Sequence, residues 1–354
     1  MELTTHERFK RTFEHKEADR VPLWDFPWPG ALRRWRKEGM PADISYEEYF
    51  SVDKVARIVV ENSPQYPETI VSETEESITT TTKWGGLQKE FKQQDSTPDF
   101  IDFLITDPDK WRETKPHIFA TPDRIPWEHL KANYRQWREE GQWILGDLWG
   151  GFENLSSYAV GTERMLMALI ENPEWCIDMC THCFDVNLAL LDMAWDAGYT
   201  FDMLNLRDDM GYKYTQFFSL DIYKTIMKPM HKRAADWAHA KGIKVRLHSC
   251  GYIMPFVPDI IDAGIDVLHP MEVKAGMNPV EMKEKYGDAL VLHGGINAML
   301  WKDLDAVSAE MEQLIPLMKQ NGGYIFAADH SIPNDVSFEN ITAIIQLAKK
   351  LGSY

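Results

Sequence analysis

From residue 140 onward, short apolar runs alternate with amphipathic helical stretches. Strands separated by helices are laid side by side in parallel, so this alternation leaves few folds open. The runs lie at 142–146, 201–206, 244–247, 266–269, 289–293 and 324–327. An earlier run, Arg20-Val21-Pro22-Leu23-Trp24, reads as one more strand. Helices are expected from 162 to about 197, interrupted near Asn172-Pro173, and around 220–241. The first strand is not followed by the Gly-rich turn of dinucleotide-binding folds. An α/β chain closed into a single (β/α)8 TIM barrel is therefore expected ahead of a doubly wound open sheet.

The N-terminal part breaks the pattern. Thr4 or Thr5 caps a first helix running through Phe13. After Trp24 comes Asp25-Phe26-Pro27-Trp28-Pro29-Gly30, a stiff aromatic loop at a strand exit. Residues 69–74 and 77–82 are rich in β-branched side chains, and Gly85-Gly86 follows. This predicts a β-hairpin excursion at about 66–95, not a second domain. With 354 residues, 44% of them hydrophobic, one barrel domain spanning 1–354 is expected.

A net charge of -17 repels phosphate backbones and anionic lipid, which argues against nucleic-acid and membrane partners. No run approaches the ~20 apolar residues of a membrane span. The N-terminus, Met1-Glu2-Leu3-Thr4-Thr5-His6-Glu7, lacks the basic and apolar regions of a signal peptide. Three of the four cysteines crowd between 176 and 183, with no disulfide framework, which suits a reducing cytoplasm. Cys176, Cys180 and Cys183 match the spacing of an iron–sulfur motif. They fall in a strongly helical stretch, whereas such a cluster needs a loop. Buried free thiols on one helix face are the simpler expectation.

Each predicted strand exit carries ionisable groups: Asp25, Asp147, Asp208 and Asp209, His248 and Cys250, His269 and Glu272, His293, then Asp329-His330. In a barrel this edge is where chemistry is assembled. His248 and Cys250 share one side by alternation, and imidazole plus thiolate is half a zinc site. His330, Glu272 and His293 are the candidates to complete it. Asp208 and Asp209 also fit helix-capping or turn roles.

The order of these segments resembles the uroporphyrinogen decarboxylase superfamily, whose members are single (β/α)8 barrels. The stretches that carry it are Leu247-His248-Ser249-Cys250-Gly251-Tyr252, Gly294-Gly295-Ile296-Asn297 and His330-Ser331-Ile332-Pro333-Asn334-Asp335. The resemblance implies one of two chemistries. Porphyrin decarboxylases carry an N-terminal Arg-Gln-Ala-Gly-Arg segment for their many carboxylates. Here that region reads Asp25-Phe26-Pro27-Trp28-Pro29-Gly30-Ala31, and Arg33 and Arg34 read as a solvated helix face. Corrinoid-dependent methyltransferases place His-x-Cys after a barrel strand and a third zinc-binding Cys near the C-terminus. His248 and Cys250 match the pair, and the third position falls at or next to His330. A neutral ligand would replace an anionic one, and Glu272 could restore the lost charge.

The resemblance further implies the branch that demethylates aromatic methyl ethers. Zn2+ would be held by His248, Cys250 and His330, with Glu272 as a further ligand. Asp25, Asp208, Asp209 and Glu272 would orient the substrate or supply a proton. Trp24, Trp28, Trp149, Asp147 and His293 would contact a small methoxylated substrate. The Asp-x-His-x-x-Gly signature of corrinoid-carrying domains is absent, so cobalamin would arrive on a separate corrinoid protein. Three alternatives stay open: a metal-free decarboxylase-like lyase, a methylcorrinoid:thiol methyltransferase, and a non-catalytic binding module.

Overall fold

The computed structural model describes residues 2–92 and 97–354. In chain order the strands are β1 (Val55–Ile58), β2 (Ile70–Glu73), β3 (Ser77–Thr81), β4 (Leu87–Phe91), β5 (Asp99–Asp102), β6 (Trp143–Leu148), β7 (Met203–Arg207), β8 (Lys244–His248), β9 (Val267–His269), β10 (Val291–His293) and β11 (Tyr324–Ile325). Seven of them form a curved parallel sheet in the order β1-β6-β7-β8-β9-β10-β11. Residues 21–24 bridge its two edges. Trp24 N donates to Phe326 O at 3.1 Å and Phe326 N to Pro22 O at 2.8 Å, beside β11. Asp53 N donates to Leu23 O at 3.0 Å, just ahead of β1. The segment is thus the eighth stave of a (β/α)8 barrel.

An ionic knot pins this stave. The fully buried Asp53 carboxylate accepts from Arg8 at 2.5 Å, Arg20 at 2.7 Å and Leu23 N at 2.8 Å. The sequence pattern located every stave except β1. Val55–Ile58 is the second, so the strand read as second, now β6, is the third. The excursion is also larger than a hairpin: β2, β3, β4 and β5 form a four-stranded antiparallel sheet. Residues 93–95 of the expected span lie outside the described residues.

Two apolar layers hold the barrel. The outer one packs the staves against the surrounding helices, and β6 is buried at every position, as a doubly covered parallel strand must be. The inner layer comprises Phe9, Phe13, Trp24, Trp143, Leu145, Met203, Val267, Val291 and Ile325. Helix α1 (Thr5–Phe13) closes its lower end. Thr4 and Glu7 form a capping box that fixes the start of α1. Phe9 and Phe13, one turn apart, then lie 5.5 and 5.1 Å from the Trp143 ring.

The long helical region divides where expected. Thr162–Glu171 ends at Asn172, whose side chain caps the helix Pro173–Asp196. Cys176, Cys180 and Cys183 are buried along that second helix. Burial pushes the thiols of Cys176 and Cys183 up to about 12, so they stay protonated. No helix among the described residues is long and apolar enough to cross a membrane.

Candidate functional site

Strand register stacks two polar tiers above the apolar floor. Asp147, Asn205 and Arg246 are in register across β6, β7 and β8. Two residues further along, Arg207, His248 and His269 are in register across β7, β8 and β9. A spacing of two keeps side chains on the same face of a strand, so both tiers face inward. All of these but Asp147 border a cavity of about 200 Å3 that takes in Arg57, Arg207 and Arg246, three histidines (His248, His269, His330), and Trp24, Asp25 and Phe26.

At the rim, three potential ligands converge. His248 Nε2 lies 3.5 Å from Cys250 Sγ and 3.4 Å from Asp209 Oδ1, and all three donor atoms fall within 4.8 Å of one another. The loop after β8 makes this possible. Cys250 N donates to Asp209 Oδ1 at 2.8 Å, and Gly251 N donates to Glu272 Oε2 at 2.6 Å. Gly251 has φ +83°, and a Cβ there would come within 2.1 Å of the Gly211 backbone. Only glycine lets the loops after β7 and β8 approach this closely.

The electrostatics suit a cation. Burial, helped by Arg246 and Arg207, holds His248 well below its ordinary range and so neutral. Burial, then the carboxylates of Asp209 and Glu272, push the Cys250 thiol well up. Burial also raises Asp209 to about 6 and Glu153 to about 8. A half-buried concentration of acids and a thiol is unfavourable alone, and a divalent ion reverses that balance. One nitrogen, one sulfur and one oxygen donor fit zinc with a position left open.

The other expected site residues fall in different places. His330 lines the cavity but stands outside the convergent trio. Glu272 holds the β8 loop through Gly251 and lies 3.3 Å from Lys274. Asp208, expected to meet substrate, is fully buried: one oxygen accepts from Glu153 N at 2.9 Å and the other lies 2.9 Å from His231. It anchors the neighbouring loop. Asp147 is likewise occupied, accepting from Arg57 at 2.7 Å and Asn205 at 2.5 Å, so it positions an arginine. His293 is fully buried, donates from Nε2 to Trp24 O at 2.8 Å, and stacks on the Trp24 ring at 4.7 Å.

Trp24 and Asp25 do face the cavity. Asp25 accepts from Ala328 N and Phe26 N, both at 2.7 Å, yet burial raises its carboxyl to about 7. Trp28 N bonds to Ile332 O at 3.1 Å at the start of the helix Pro29–Lys37. Trp149 sits 4.7 Å from the Arg207 guanidinium and edge-on to Tyr158. Neither tryptophan borders the cavity.

Sequence reasoning missed Arg57, Asn205, Arg207 and Arg246. The signal was parity: Arg246 and Arg207 each stand an even number of residues from an inward neighbour on their strand. A larger groove of about 550 Å3 lies between Phe103–Pro108 and the helix Thr162–Glu171, away from the strand ends. The convergent donor trio is not among its lining residues.

Barrel and rim together define a class, and comparison with known proteins agrees. The family described as Uroporphyrinogen decarboxylase (URO-D) matches residues 4–351, so the chain belongs to that family. Among solved structures, a methyltransferase from Methanosarcina mazei superposes with a TM-score of 0.68 at 15% identity, covering 99% of each chain. At that identity the likeness concerns the fold. No curated protein matches.

Proposed function

We propose that this protein is a zinc-dependent methyltransferase that takes a methyl group from a methoxylated aromatic compound and passes it to a corrinoid carried by a separate protein. The observation that carries this reading is the convergence of His248 Nε2, Cys250 Sγ and Asp209 Oδ1 at the barrel mouth. These residues would hold the ion, with His330 across the same cavity as a further donor. Bound there, zinc supplies Lewis acidity toward an ether oxygen.

The remaining work belongs to the chain's own side chains. His269 orients the His248 ring, and Asp209 also secures the backbone of Cys250. Trp24 and Phe26 give the ring apolar walls and exclude water. Asp25, titrating at about 7, holds a proton beside the cavity and can give it to the phenolate oxygen left by demethylation. The Methanosarcina mazei methyltransferase of the same fold supports the reaction class, and a cytoplasmic setting suits the free thiols.

The test combines metal analysis with methyl transfer from methoxybenzenes and methoxybenzoates to a corrinoid protein. Stoichiometric zinc and methylation that depend on His248 and Cys250 are expected. Full activity in a zinc-free His248→Ala, Cys250→Ser variant would defeat the reading. A second reading, a metal-free lyase, draws on the raised Asp25 carboxyl beside three arginines. Carbon dioxide release without bound metal would favour it. The cavity of about 200 Å3 suits a single ring in either case, since about 150 Å3 accepts benzene.

A further inference from the structure

Asp208 is fully buried just past β7 and ties together the ends of β6, β7 and β8. Its N–H donates to His248 O at 2.9 Å, its Oδ1 accepts from Glu153 N at 2.9 Å, and a Cβ on Gly151 would collide with its carboxylate. Its other oxygen lies 2.9 Å from Nε2 of His231, on the helix Lys228–Ala240 outside the barrel wall. His231 Nδ1 lies 3.2 Å from the Tyr223 hydroxyl, and both residues are fully buried. A carboxylate only accepts, so the imidazole proton sits on Nε2 and Tyr223 donates to Nδ1. The helix is shaped to make this line. In a regular helix, residues eight apart point about 80° apart around the axis, whereas residues seven apart nearly coincide. Here Lys228 N bonds to Tyr223 O, five residues back, in a wide turn spanning Tyr223–Met227. That turn absorbs one residue and brings Tyr223 over His231. Pro229 favours it, having no N–H to give Thr225 O. Phe256 stacks on the Tyr223 ring at 4.8 Å and fixes its direction.

We propose that His231 is a positioning residue: acting through Asp208, it places the Asp209 carboxylate against His248 and Cys250. A buried carboxylate is costly unless it is hydrogen-bonded, and His231 supplies the bond that keeps Asp208 inside the wall. With Asp208 held, Asp209 reaches Cys250 N at 2.8 Å and comes within 3.4 Å of His248 Nε2. Without that bond, Asp208 turns toward water and draws Asp209 off the rim donors. Two apolar side chains of the same shape could stabilise the contact between wall and helix equally well. A directed polar line that ends beside the rim instead fixes where an acid stands. Groups behind the ligands commonly set the geometry of metal sites. His269 does so for His248, and His231 does so for Asp209, from a different helix and on a different donor.

Two measurements on the full-length protein test this, in His231→Leu, His231→Gln and Tyr223→Phe. The first uses metal-free protein and follows amide hydrogen exchange at Cys250, whose N–H is held by Asp209. Amides of the helix Phe338–Gly352 report global opening. His231→Leu should speed exchange at Cys250 about 10-fold beyond any change in that helix. The second measurement rests on the zinc reading. It is zinc affinity by chelator competition, with the visible spectrum of the cobalt(II)-loaded protein reporting the donor set. His231→Leu should weaken zinc binding about 10- to 100-fold and alter the cobalt bands. His231→Gln, whose amide N–H can stand in for Nε2–H, should restore most of both. Tyr223→Phe keeps the shape of the core and should cost about 2- to 10-fold in each measurement. It carries the test if His231→Leu does not fold. Unchanged Cys250 exchange or unchanged zinc affinity in the folded variant overturns the proposal, as does a Gln variant as impaired as the Leu one. If the wild type takes up neither ion, the zinc reading falls by itself, and exchange at Cys250 still supports or overturns the placing of Asp209 by His231.

Discussion

His248 Nδ1 lies 2.7 Å from His269 Nδ1. Only one of two neutral rings can donate across that contact. If His248 donates, its Nε2 carries a lone pair toward Cys250 Sγ, 3.5 Å away, and is ready to bind metal. If His269 donates, His248 Nε2 keeps its proton and cannot. Metal binding therefore requires the first arrangement, with His269 as acceptor. His269→Ala should weaken zinc binding by about 10- to 100-fold, measured by chelator competition. His269→Gln, which keeps an acceptor, should recover part of it. Unchanged affinity in both variants would show that something else orients His248.

Zinc uptake should be strongly pH-dependent. The Cys250 thiol is pushed well above its ordinary range, so binding must expel a proton. Affinity should rise from pH 6 to pH 8, with proton release visible as a buffer-dependent heat. Cys250→Ser should lose stoichiometric metal, and Asp209→Asn should bind it more weakly. A flat affinity profile would remove Cys250 from the ligand set.

Asp25 links the fold to pH in a defined direction. Its carboxyl titrates at about 7 in the folded chain against 3.8 ordinarily. Between those values the folded state binds more protons than the unfolded state, so stability falls as pH rises from about 4 to about 7 and levels off above. Asp25→Asn removes that slope. Urea denaturation at pH 5 and pH 8 should show the variant gaining on the wild type at the higher pH. An equal difference at both values would contradict the shift.

Gly251→Ala should harm both stability and metal binding. The residue sits at φ +83° with Gly211 backbone 2.1 Å from where a Cβ would be. Strain at such a position costs about 1–3 kcal/mol, and displacement of the loop carries Cys250 with it. Urea midpoints and zinc stoichiometry measured together check this. A variant with normal metal content would mean that the two loops can separate freely.

The sequence was legible where pattern and position coincide. Repeated strand–helix spacing announced the barrel, and His248, Cys250 and Asp209 stood at strand exits where a barrel concentrates chemistry. β1 escaped because it is four residues long with Arg57 in its middle, which blurs an apolar run. Arg246 escaped because it sits inside the run 244–247, where the pattern marks a strand but not which of its faces lines the interior. Asp209 was read as an acid or a turn residue. Its approach to His248 depends on how the β7 and β8 loops fold together at Gly211 and Gly251, which linear spacing does not encode.

The phenylalanine-and-tryptophan floor laid down by α1 has a consequence for traffic. Phe9, Phe13 and Trp143 pack against one another across the lower end, so the doorway lies at the other end, where the strands finish. On the proposed reading, an acceptor protein settling over that doorway would confine the small molecule until it departs, which would impose an order of arrival: the aromatic compound first, the larger visitor second.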